Sequence, residues 1–99
     1  MTKSVNLTNL NDTLPLMVSK DYKERFIAEY MQTKIRYNRL HRMIVRYEAG
    51  TLDFKPTCPL ALLKEQKAAM GAYLFALEKR AELEGIYFHI SVEEAGNDE

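Results

Sequence analysis

The stretch SKDYKERFIAEYMQTKIRYNRLHRMIVRYEAG, residues 19–50, decides the fold. It holds no proline, and its one glycine is the last residue, Gly50. Phe26, Tyr30, Thr33, Tyr37, Leu40, Ile44 and Tyr47 step by four and three residues alternately. That spacing gathers them on one face of an α-helix and predicts a seam packed lengthwise on another helix. Ser19 is the expected N-cap, because its hydroxyl can accept from a first-turn amide that lacks an intrahelical partner. Gly50 is the expected stop, since glycine enters the left-handed region without a Cβ clash. At ~1.5 Å per residue, a helix over 19–49 is roughly 45 Å long.

A second helix is expected over 59–84. Pro59 suits a first helical position, where a missing N–H leaves nothing unpaired, and Gly85 supplies the stop. Leu60, Leu63, Met70, Leu74, Leu77 and Ala81 form its seam, flanked by Gln66 and Tyr73. Two helices joined by a short connector, residues 51–58, lie antiparallel. Leu52 and Phe54 of the connector are expected to cap the open end. After Gly85, Ile86, Phe88, Ile90 and Val92 alternate with polar residues, the period of a half-buried strand. Val5 and Leu7 alternate more weakly. The strand can pair with the N-terminal segment, pair with another copy, or lie extended over the helices. The expected fold is thus all-α. It is a long antiparallel αα-hairpin over 19–85, with an extended segment over 1–18, a short strand over 86–92 and a disordered acidic tail over 93–99.

The 99 residues make one small domain, and 46% are hydrophobic. Lys plus Arg number 14 and Asp plus Glu number 14, so the formal charge is zero, which argues against a dedicated nucleic-acid module. That zero hides a segregation. Residues 19–49 carry eight bases against four acids, while residues 93–99 carry four acids and no base. The single cysteine, Cys58, makes no internal disulfide. No apolar run approaches the ~20 residues of a membrane span. The N-terminus is too polar for a signal peptide.

Few residues suit catalysis. His41, His89 and Cys58 lack metal-ligand spacing, so neither a metal nor another cofactor is expected. Nothing obvious orients a Cys58–His41 pair. The glutamates, including Glu78 and Glu82, interleave with bases as a solvated face would. The distinctive feature is basic: Lys34, Arg36, Arg39, Arg42 and Arg46 occur with no acid among them. Arg39, Arg42 and Arg46 share a face nearly opposite the seam. Arginine's planar fork suits phosphate, so Arg36, Arg39, Arg42 and Arg46 are the expected phosphate ligands. Tyr22 or Tyr47, near the helix ends, would stack a base. A solvated face is the plainer reading of the same strip. Ile27, Met31 and Ile35 form a second apolar stripe. Either the terminal segments cover it or another subunit does, and the second reading makes these residues an oligomer interface within a homo-oligomeric bundle.

Several runs carry a resemblance: DYKERF at 21–26, LHRMI at 40–44, FKPTCP at 54–59, LLKEQ at 62–66, LEKRA at 77–81 and EGI at 84–86, with Met70 and the Tyr73–Leu74 pair. Together they resemble a family of short helical proteins of tailed bacteriophages and prophages, first catalogued in crAss-like phages. By type, the chain also resembles the phage sponges called Sequestin and Lockin, which bind nucleotide signals of bacterial defence. The resemblance implies a non-enzymatic accessory protein in the host bacterial cytoplasm. It would be a homo-oligomer that sequesters an anionic nucleotide signal of the Thoeris or CBASS type. The alternative is a helical module that inhibits or adapts a host or phage protein.

Overall fold

The computed structural model describes the backbone of residues 2–6 and 9–91 and the side chains of residues 9–87. Its elements are β1 (Thr2–Asn6), a 3-10 turn (Leu10–Thr13), α1 (Leu14–Met17), α2 (Tyr22–Ala49), α3 (Leu60–Glu84) and β2 (Tyr87–Ser91). The two long helices lie antiparallel. Tyr22 donates to Glu84 at 2.7 Å, Tyr30 donates to Glu78 at 2.7 Å, and Lys64 pairs with Glu48 at 2.5 Å. As α2 advances, its partners on α3 move back toward Leu60.

Both helix starts sit slightly later than the residues suggest. Asp21, not Ser19, caps α2: its carboxylate accepts from Lys23 N at 3.0 Å. Ser19 Oγ accepts from Asp21 N at 3.0 Å and so organises the approach. Pro59 is the cap of α3 rather than its first residue, with φ −60° and ψ 145°. At the other end of α2, Gly50 takes φ 81°, and Arg46 O accepts from Thr51 N and Leu52 N at 2.9 and 3.2 Å. This geometry satisfies carbonyls that the last turn leaves open. Asp21→Ala is expected to cost about 1 kcal/mol and Ser19→Ala less, measured by urea unfolding.

Residues 1–18 are not simply extended, as two short helical turns occupy 10–17. The carboxylate of Asp12 accepts from Asn9 N at 3.4 Å, and Pro15 stands in the first turn of α1. Both are helix-start chemistry. Thr13 is fully buried. Its hydroxyl donates to Leu10 O at 2.7 Å and accepts from Gln32 of α2 at 2.9 Å. This segment lies along α2, and Leu16 packs on the core.

That placement overturns the expected oligomer interface. Ile27, Met31 and Ile35 are 3%, 0% and 4% exposed within the single chain. The main core joins Phe26, Ile27, Tyr30 and Met31 of α2 to Leu74 and Leu77 of α3 and to Ile86. It sits at the end where α2 begins and α3 finishes. Toward the loop the seam thins: Ile44 and Leu63 are buried, but Thr33, Tyr37, Leu40 and Tyr47 are only half-buried. Phe54 is 56% exposed and does not cap that end, although Leu52 is half-buried. β1 and β2 pair in parallel, from Thr2 opposite Tyr87 to Asn6 opposite Ser91, so the strand finds its partner within the chain. The acidic tail over 93–99 lies outside the described residues.

Candidate functional site

The expected phosphate ligands divide. Arg36 and Arg39 are exposed on α2. Arg42 and Arg46 are half-buried and already engaged within the chain, contrary to a fully solvated strip. Tyr47 is half-buried near the loop. Tyr22 lies at the far end of α2 from Tyr47 and is committed to a polar cluster. Its hydroxyl donates to Glu84 at 2.7 Å and accepts from Arg80 at 2.5 Å, and Arg80 Nε bonds Glu84 at 3.2 Å. Arg80 also lies 4.9 Å over the Phe26 ring. Glu84's carboxyl is held below its ordinary range, first by Tyr22's hydrogen bond and then by Arg80's. Tyr22 and Tyr47 therefore cannot serve one ligand within one chain.

The glutamates are more than a solvated face. Glu78 accepts the phenol of the buried Tyr30, and Glu29 accepts that of Tyr73. Burial, followed by the hydrogen bond to Glu78 and its charge, pushes the Tyr30 hydroxyl well above the ordinary 10.0. A raised value means the folded state holds this proton more tightly. The stabilisation is complete below about pH 10 and is lost as pH climbs through the folded value. Tyr30→Phe is expected to flatten the fall in urea-unfolding stability between about pH 9 and about pH 11.

Among the described residues, several grooves run along the helix pair. One of about 370 Å³ lies over the core and includes Glu78 and Glu82. A second, about 200 Å³, sits by Asp21, Lys23 and Glu24. The third, about 450 Å³, lies in the thin half between Tyr37, His41, Ile44 and Val45 of α2 and Lys64, Lys67 and Gly71 of α3. Lys34 and Lys67 place their ammonium groups 5.9 and 5.8 Å from the Tyr37 ring centroid. The rings of Tyr37 and His41 lie 7° from parallel, with centroids 6.5 Å apart. Glu48, paired with Lys64, is the one acid in this lining.

None of these three grooves is lined by an arginine of the strip. The lysine-lined groove is the feature that sequence reasoning missed. Tyr37 reads as a seam residue, and only the register between the helices shows which lysine of α3 meets it. Gly71, a glycine inside a helix, was the available signal.

Among the described residues no group of three His, Cys, Asp or Glu could hold a metal, and no helix is long and apolar enough to cross a membrane. The described residues thus form a small helical protein with an aromatic, cationic groove between its two long helices. The model of the Sequestin family matches residues 20–83, which take in α2 and all of α3 except Glu84, and the chain belongs to that family. No curated protein and no solved structure matches the chain.

Proposed function

We propose that this chain is a non-enzymatic phage accessory protein that binds and sequesters a nucleotide immune signal, and so counters a bacterial defence of the Thoeris or CBASS type in the host cytoplasm. The carrying observation is membership of the Sequestin family across both long helices. The groove at Tyr37 supports it, because two lysines and two near-parallel rings suit a ligand with phosphates and a planar base. The arginine strip, with Arg36 and Arg39 exposed, is a second anionic-ligand surface on the same helix.

We further propose that the sponge is a homo-oligomer, built through α3 rather than through the buried Ile27, Met31 and Ile35. Residues 68–77, AAMGAYLFAL, carry no charge on any side of that helix. Leu74 and Leu77 face the core, whereas Phe75 and Tyr73 are 60% and 43% exposed, beside exposed Ala69, Ala72 and Ala76. A helix apolar all round belongs between two neighbours. The same face favours the second reading, a module that docks on a host or phage protein through Phe75, Leu62 and Leu83.

Thermal melts against cyclic and ADP-ribose-derived nucleotides test the first reading. A ligand at 100 times its Kd stabilises by about 2.7 kcal/mol, a Tm rise on the order of 10 °C for this length. No rise across the panel would sink the nucleotide reading. Light scattering decides between the two uses of α3: a monomer at high concentration removes the homo-oligomer.

A further inference from the structure

Gly71 is costly for its place. A glycine inside a helix is a poor choice beside alanine, since it exposes backbone and loses more conformational freedom. Packing within the chain does not require it. A Cβ at this position would lie 3.5 Å from Tyr37 Cε1, an ordinary van der Waals distance, with no closer neighbour. What the missing methyl does leave open is the floor of the groove beside the Tyr37 ring.

The charges around that floor favour an anion. Lys34 and Lys67 approach the same ring from two different helices, although like charges repel. Lys64, a further lysine of the lining, pairs with Glu48, and both side chains are about half exposed, at 54% and 47%. Exposed pairs of this kind are weak and exchange readily for a stronger anion. Of the other grooves described above, one carries Glu78 and Glu82 and the other sets Asp21 and Glu24 against Lys23, so each is net acidic and suits a phosphate less well. A volume of about 450 Å³ falls in the range of small-molecule sites.

We propose that the nucleotide sits in this groove, its base against Tyr37 and His41 over the Gly71 floor, and its phosphates between Lys64 and Lys67 with Lys34 at the edge. The assignment rests on the nucleotide-binding reading above and locates it away from the arginine strip. At ~100° per residue, Arg39, Arg42 and Arg46 point roughly 160° around α2 from Tyr37, His41 and Ile44, so the two surfaces can be changed separately.

The experiment is isothermal titration of the full chain with ADP-ribose and with a cyclic dinucleotide. Lys67→Glu is expected to weaken binding by about tenfold or more, and Tyr37→Ala by a similar factor through lost stacking. Lys55→Ala, which removes an exposed lysine of the connector outside the groove, is expected to stay within about twofold of the wild type. Tyr37 is half-buried, so its variant can lose structure. Gly71→Ala guards against that outcome, since it should raise Tm while weakening binding several-fold. The His41 imidazole resonances, one of only two such sets in the chain, should shift on saturation. If the wild type binds and Lys67→Glu and Gly71→Ala bind equally well, the groove assignment is overturned while the nucleotide reading stands. If the wild type binds neither probe, both are overturned.

Discussion

A chain beginning at Ser19 is expected to self-associate and to lose its cooperative melt. The segment it lacks contains the 3-10 turn and α1, which lie along α2, with Thr13 and Met17 at Gln32 and Leu16 packed on the core that holds Ile27 and Met31. Ile27, Met31 and Ile35 are at most 4% exposed when the segment is present. Burying an isoleucine or methionine contributes about 1.5–3 kcal/mol. Ile27 and Met31 also touch residues of α3 and Ile86, so only part of that contribution depends on the N-terminal segment. Even half of it, over three side chains, is about 2–5 kcal/mol, against a total of about 5–15 kcal/mol for a domain. Truncation also leaves Gln32 without Thr13 and removes β1, the partner of β2. The checks are circular dichroism melts and light scattering at matched concentrations. A truncated chain that stays monomeric and melts within a few degrees of the full one would show that the stripe does not need this cover.

The truncation turns on the point at which the sequence stopped being informative. The helix pair could be read because its signals are local. Gly50 and Gly85 stop helices by their left-handed φ of 81° and 71°, and the four-and-three spacing of Phe26, Tyr30 and Ile44 marks a buried face. The second apolar stripe could be read as a stripe, but nothing local says what lies over it. A covering segment and a second subunit demand the same residues from α2. The deciding residues were in the cover: Asp12 and Pro15 carry helix-start chemistry in a segment that its weak strand alternation made look extended. The candidate site was less legible still. An arginine strip is visible along one helix, whereas Tyr37 with Lys67 exists only once two helices are in register. The tyrosines suffered similarly, since a phenol's role depends on whether a carboxylate such as Glu78 or Glu84 stands opposite.

Leu77→Ala is expected to cost about 3–5 kcal/mol in urea unfolding, and Leu63→Ala about 2 kcal/mol. Both remove the same atoms from the same helix. Leu77 is 1% exposed inside the main cluster, with neighbours on α2 and after α3, so the structure can close around the lost methyl groups only partly. Leu63 is 8% exposed in the thin half, where most seam residues of α2 are only half-buried and water or side-chain movement can refill the space. Equal losses at the two sites would contradict the uneven core. The asymmetry bears on function. Local opening is cheapest where buried contacts are few, and binding surfaces draw on that end of the stability range. The half around Met31, Leu77 and Ile86 holds the chain folded, which would leave the loop-side groove free to adjust around the proposed ligand. Hydrogen exchange should therefore be faster near Ile44 and Leu63 than near Met31 and Leu77, and saturating nucleotide should narrow that difference.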